Sequence, residues 1–359
     1  MAGPTLRSLA AQLGVSRTTI SEALRHSPRV HPDTARRILA AAEAAGYQRN
    51  PLAGAFMSEL RRSRAGLFRG VLAIVGIEEP DRPHYAVRFH DELARGATER
   101  AAELGFKVER FIAGSHAMRQ QRLDQIFQSR GIAGIILLPT WRDPDFLKID
   151  WSNYAGVYLD YHIERPSLMC VCCDHFRTLF MALQRLHRMG YQRPGIVLPR
   201  KHDERLHHRW AGAFLASSYT QDDCEAVPPL LADRVTRDAF TPWFSRYKPD
   251  VVLSHFVEII EWMKDAGARI PRSHGFFCLN LVHADRPCAG LDQQPATLGR
   301  QGADIVIAQL HRNERGIPAK FSLTTLPALW IDGPTLRPKK TSFRPKLNAE
   351  RLSPPVDRR

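Results

Sequence analysis

Residues Thr5–Ser21 read TLRSLAAQLGVSRTTIS, and their spacing decides the fold at the start of the chain. Leu6, Leu9, Ala10 and Leu13 recur at i, i+3, i+4 and i+7, so they line one face of a short helix, with Thr5 placed to cap it. Gly14 permits a sharp turn. Ser16 then caps a second helix within Val15–Arg25, VSRTTISEALR. Ile20, Ala23 and Leu24 fall on its packing side, and Arg17, Thr18, Ser21, Glu22 and Arg25 fall on the other. That second face has the size and polarity to enter a DNA major groove. A third helix starts near Pro32, a first-turn proline, turns Ala35, Ile38, Leu39 and Ala42 inward, and is ended by Gly46. Two short helices joined by a glycine-containing turn, with a third closing the core, make a helix-turn-helix.

Charge is distributed in a way that fits this reading. Of the formal +14 over 359 residues, residues 1–66 hold ten Arg and four acids, a balance of +6. Residues 336–359 hold eight Lys or Arg and two acids, again +6, so the middle is nearly neutral. Basic ends around a neutral body suit a polyanion at the ends and a different partner at the centre. The chain is long enough for two or three domains. No run approaches the roughly 18 apolar residues of a membrane span, and MAGPTLRSLAAQLG lacks a continuous apolar signal region. The expected location is therefore the cytoplasm, without membrane association. Six cysteines fit a reducing compartment.

Asn50 to Met57, NPLAGAFM, is a short helix candidate with Asn50 as cap and Pro51 at its first position. Two turns are not stable alone in water, and Gly54 costs about 1 kcal/mol more against Ala. The segment is expected to order only when something holds it. Arg61, Arg62 and Arg64 follow as a linker that phosphate attracts.

From Gly70 onward, short apolar runs alternate with amphipathic stretches. Val71–Ile77, Lys107–Ile112, Gly131–Pro139 and Gly156–Asp160 read as strands, with helices at Glu92–Leu104 and Gln120–Arg130. A second series starts at Cys170, where VCCDH ends a strand. It continues with strands Pro194–Pro199, Asp250–His255 and Gly275–Asn280, and with helices Phe176–Met189, Arg209–Ala216 and Glu258–Ala266. The alternation implies an α/β body of parallel sheets with helices on both faces. The domains read as a headpiece at 1–48, a hinge and linker at 49–66, a body at 67–335, and a basic, proline-rich tail at 336–359 in which disorder is expected from about Pro338. The tail either adds nonspecific DNA attraction or is an inert extension.

Residues 5–56 resemble the DNA-binding headpiece of the LacI/GalR family of bacterial transcription regulators. The resemblance rests on the runs Thr5–Ser21 and Pro28–Tyr47 (PRVHPDTARRILAAAEAAGY) and on the NPLA that follows. GIAGIILLP, Asp174, RWAGAF (Arg209–Phe214), GARIP (Gly267–Pro271) and DQQPATLGRQGAD (Asp292–Asp304) extend it through about residue 335, as two lobes like those of periplasmic binding proteins. The resemblance implies that Arg17 and Thr18 touch base edges, with Arg17 bidentate to guanine, and that Ser16, Thr19 and Ser21 position phosphates. Thr5, Arg25 and Asn50 are further implied DNA contacts. Ala53, Phe56 and Met57 lie in a hinge that folds against its dimer mate in the minor groove, Phe56 standing at the wedge position where Leu is usual. Alternatively, Phe56 and Met57 pack on the body.

Two departures from the family pattern stand out. Glu22 occupies a position where Arg is usual, and it either accepts from a cytosine or pairs with Arg25 on a solvated face. His31 stands where a Ser cap is customary. The resemblance also places a small ligand in the cleft of the body, beyond the carboxyl ends of the strands. Candidate contacts are Glu78, Glu79, Asp81, Trp141, Asp160, Arg209 and Asn280, a mixture that suits a carbohydrate-like molecule.

Two tempting clusters are set aside. Cys170, Cys172 and Cys173 alternate along a strand and read as buried small hydrophobes rather than metal ligands. His202–His208, HDERLHH, reads as a solvated loop amid basic charge. No Gly-x-Ser-x-Gly elbow, phosphate-binding glycine loop or HExxH pair is present. The expectation is thus a homodimeric transcription regulator, probing a pseudopalindromic duplex operator under control of a small effector, with no cofactor, no metal and no catalytic residues. Its rivals are a small-molecule binding protein or enzyme on the same body, and a nonspecific DNA binder.

Overall fold

The computed structural model describes residues 6–24, 30–45, 69–79, 82, 84–114, 118–141, 145–161, 163–218 and 227–338. The hinge at 49–66, residues 339–359, and Thr5, Arg25, Asn50, Ala53, Phe56, Met57 and Asp81 lie outside them.

Three helices open the chain: α1 (Leu6–Leu13), α2 (Arg17–Ala23) and α3 (Pro32–Ala44). Gly14 takes a φ of +66° in the turn after α1, a conformation that a Cβ would strain. Leu9, Ile20, Ala23, Val30, Ile38 and Ala42 form one buried cluster, with Leu13, Val15, Leu24 and Ala35 packed around it. Full burial of an aliphatic side chain contributes roughly 1.5–3 kcal/mol, so Leu9, Ile20 and Ile38 supply most of what holds this small unit together.

The body divides into two compact units. One ends at Cys173 and takes in Gln294–Leu326; the other comprises Asp174–Gln293 and resumes at Pro327. The first carries strands β1 (Gly70–Ile77), β2 (Phe106–Ala113), β3 (Ile132–Leu137), β4 (Ala155–Tyr158), β5 (Met169–Cys173) and β11 (Leu323–Leu326). They pair throughout in parallel, in the order β11-β5-β4-β3-β1-β2. Both faces are covered, which is why β1 and β3 are near-continuous apolar runs. Helix α4 (His84–Glu103) packs on α11 (Pro295–Arg312) at very close range. A Cβ at Gly96 would run into the Ala296 carbonyl, and one at Gly299 into that of Leu93. Helix α5 (Gln120–Arg130) ends at Gly131, in the left-handed region.

In the second unit β6 (Pro194–Pro199), β7 (Leu230–Ala232), β8 (Val251–Ser254), β9 (Gly275–Cys278), β10 (Gly290–Asp292) and β12 (Leu329–Ile331) pair in the order β12-β10-β9-β8-β6-β7. All pairs are parallel except β10 with β12. The helices are α6 (His175–Arg188), α7 (Arg200–Arg205), α8 (Arg209–Ser218), α9 (Arg237–Tyr247) and α10 (Ile259–Asp265). Thr335 and Leu336 are buried here, and the Arg337 guanidinium stacks on Tyr191.

Two expectations are corrected. Helix α4 starts at His84 rather than Glu92, because Ala86 and His90 are buried along the same face that Leu93, Ala94 and Ala97 continue. HDERLHH is not a solvated loop. Its first residues belong to α7, and His202 and Asp203 are buried. The burial of the Asp203 carboxylate is offset by hydrogen bonds from the backbone N–H groups of Trp210 (3.1 Å) and Ala211 (3.3 Å), so it caps α8.

Candidate functional site

Ser16 stands at the mouth of α2, its Oγ accepting from the Thr19 N–H at 3.0 Å and lying 2.8 Å from the Thr19 hydroxyl. The two hydroxyls therefore hold the first turn of the helix as well as facing outward for other partners. Arg17, Thr18 and Ser21 lie on the α2 backbone, and their side chains fall outside the described residues. Glu22 is half-exposed on the same helix. His31 does cap α3, weakly: its Nδ1 accepts from the Asp33 N–H at 3.4 Å. Ser16→Ala removes a cap worth about 0.5–2 kcal/mol, and the expected result is faster amide exchange across α2 in the full chain, with α4 unchanged.

The carboxyl edge of the first sheet gathers several of the expected ligand contacts. Glu79 is committed to structure: Oε1 accepts from the Trp141 N–H at 2.7 Å, and Oε2 accepts from Arg82 at 2.8 and 3.2 Å. Arg82 also donates to the Ile77 carbonyl, so one ion pair ties the ends of β1 and β3 together. Glu78 lies against Gly114, where a Cβ would meet its carboxylate. Trp141 is half-buried. Asp160 is buried after β4, with Oδ1 accepting from the Tyr161 N–H at 2.8 Å.

At the carboxyl edge of the second sheet, the chain brings together a group that sequence reading missed. Arg209 begins α8, and burial alone lowers its pKa. Asn280 follows β9; its Oδ1 accepts from the Val282 N–H at 3.2 Å, and its Nδ2 lies 3.3 Å from His283 Nε2. His255 directly follows β8, and its ring stacks on His202 at 4.6 Å between centroids. His283 lies 5.9 Å away and Trp210 5.6 Å, edge-on. His175, at the start of α6, also meets Trp210 edge-on, at 5.0 Å between centroids.

Burial pushes the His175 ring down to about 3, and the charge of Arg205 adds to it. Burial also holds His202 and His255 well below the usual imidazole value, helped by neighbouring rings and Arg205. These rings are neutral. Among the described residues, neither nitrogen of His255, nor His175 Nδ1, nor Trp210 Nε1 has a hydrogen-bond partner. Each such buried polar atom costs about 1–3 kcal/mol. The missed signal was positional: His202, His255 and His283 each stand just after a strand of one parallel sheet.

Among the described residues, no group of three or more His, Cys, Asp or Glu is placed to hold a metal ion. Cys170, Cys172 and Cys173 are all buried, and burial pushes the Cys170 thiol up to about 12. No described helix is long and apolar enough to cross a membrane.

Residues 5–50 match the family described as bacterial regulatory proteins, lacI family. The amino-terminal region is of the LacI family. The ribose operon repressor of Bacillus subtilis (strain 168) is 25% identical over 224 residues, which is 62% of this chain and 63% of the repressor, just under two thirds of its length. Among solved structures, the transcriptional regulator CelR-cellobiose complex aligns over 92% of this chain and 99% of its own, at 20% identity and a TM-score of 0.56. The lac repressor dimer bound to operator and the anti-inducer ONPF aligns over 94% and 100%, at 16% identity and a TM-score of 0.53. The fold is thus a LacI-type one: a helix-turn-helix headpiece, then a two-lobed periplasmic-binding-protein-like body with parallel sheets.

Proposed function

We propose that this LacI-type protein is a sequence-specific DNA-binding transcription repressor, acting in the cytoplasm as a homodimer on a pseudopalindromic operator. The observation that carries this reading is the headpiece: a Ser16-capped α2 behind a Gly14 turn, on its own small core, within the matched span. Arg17 and Thr18 read base edges, and Glu22 accepts from a base amino group. Ser16, Thr19, Ser21, Thr5, Arg25 and Asn50 hold the backbone. Ala53, Phe56 and Met57 enter the minor groove.

The body senses a small effector, and binding it changes operator affinity. Such control is a coupling between two sites through a two-state body. Contacts to the effector are Glu78, Asp81, Trp141 and Asp160 in the first unit, and Arg209 and Asn280 in the second. Ribose in the name of one relative and cellobiose in the complex of another support a carbohydrate-related molecule. The body's work is binding rather than bond-making.

Arg17→Ala tests the role of α2. A bidentate arginine–guanine contact discriminates by about 1–3 kcal/mol, roughly five- to 150-fold, so operator binding in anisotropy titrations falls by that factor. Binding to random duplex falls only slightly. Equal losses on both DNAs contradict the base-reading role.

A further inference from the structure

The imidazole cluster of the second unit has a composition that core packing does not explain. His255 is 3% exposed and Trp210 fully buried, and phenylalanines would fill the same space without leaving polar atoms unmatched. The rings meet face to face and edge to face, around His255. They stand where β6, β8 and β9 end, the edge at which parallel sheets bind ligands.

Beside the neighbouring imidazoles, the permanent charge of Arg205 acts on His175, His202 and His255. The nearby carboxylate, Asp203, is already engaged by the Trp210 and Ala211 N–H groups and lies 3.3 Å from His208. The neutral His175 ring gives its N–H to Gln293, so what the cluster offers a ligand is the single N–H of His255 and the indole N–H of Trp210 near the charge of Arg205, donors that match anionic oxygen.

We propose that His255 and Trp210, with Arg205, form a subsite for an anionic group on the effector, a carboxylate or a phosphate, so that the effector is an acidic sugar derivative or a similar oxygen-rich acid. The inference rests on the reading that the body senses a small ligand. It sharpens that reading from carbohydrate-like to acidic.

The test uses the full chain with four probes: glucose, gluconate, glucose 6-phosphate and inorganic phosphate. Thermal unfolding and calorimetry are expected to show stabilisation by gluconate or by the phosphates but not by glucose, and which acid binds separates the carboxylate source from the phosphate one. His255→Phe keeps the ring and removes both nitrogens; it is expected to weaken the binding anion about tenfold or more. Should that variant not fold, nitrogen NMR of labelled imidazoles in the unsubstituted chain reads the same site. The His255 ring nitrogens then shift when the anion is added.

An equal effect from glucose overturns the proposal. So does no effect from any anion, unmoved ring signals, or full retention of binding in a folded His255→Phe, which would place the anion on the basic headpiece. Random and selected duplexes titrated in parallel report on DNA recognition separately, so either reading can fail while the other stands.

Discussion

Unfolding of the second unit becomes steeply easier as the pH drops below about 6.5, the ordinary imidazole value. In the unfolded chain the rings of His175, His202 and His255 take up protons near that pH. In the folded chain His175 resists to about 3, and the other two stay neutral well below 6.5. The unfolded state thus binds more protons across this window, so the stability that neutral burial contributes is fully present above 6.5 and is lost as the pH falls toward 3. Each ring adds a slope of at most about 1.4 kcal/mol per pH unit, so three rings reach about 4 kcal/mol per unit. Surface carboxylates act in a lower window: Arg300 and Arg100 hold Glu103 at about 2, against an ordinary 4.5. Urea midpoints measured at successive pH values show the effect as a falling midpoint with an unchanged slope on denaturant. A flat midpoint between neutral pH and pH 5 contradicts neutral burial of these rings.

Glu79→Ala is expected to cost the first unit about 3–5 kcal/mol, the range for removing one partner of a buried ion pair. The Glu79 side chain is only 4% exposed, and that of Arg82 17%. Losing the carboxylate leaves a largely buried guanidinium without its counter-charge, and the Trp141 N–H without its acceptor. Glu79→Gln keeps an oxygen for Trp141 and loses only the charge, so it falls between the two in urea unfolding. A loss below about 1 kcal/mol for Glu79→Ala would mean that the pair behaves as an exposed one.

The headpiece was readable because its signals are local. A cap, a turn glycine and a helical stripe lie within a few residues of one another, and the structure returns α2 behind Ser16 and α3 from Pro32. Strands buried on both faces were equally plain, with β6 at Pro194–Pro199 and α5 at Gln120–Arg130 falling where their patterns end. The start of α4 was hidden because charged residues interrupt its first turns, and α9 because Pro242 sits inside it. The imidazole cluster was illegible for a different reason. Its members come from α6, α7, the loop after β8 and the turn after β9, and only the stacking order of the parallel sheet brings them together. A histidine amid arginines reads as solvated until the fold shows Asp203 beside it acting as a buried cap.

Selection of duplexes from a random pool by the full chain, followed by titration of the selected and a scrambled duplex at two salt concentrations, tests the central claim most directly. Repressor function predicts a selected site with two-fold symmetry, bound roughly 10³–10⁷ times more tightly than the scrambled one at physiological salt, while affinity for the scrambled duplex collapses as salt rises. No enriched sequence, with the same affinity for both duplexes at each salt, would contradict it.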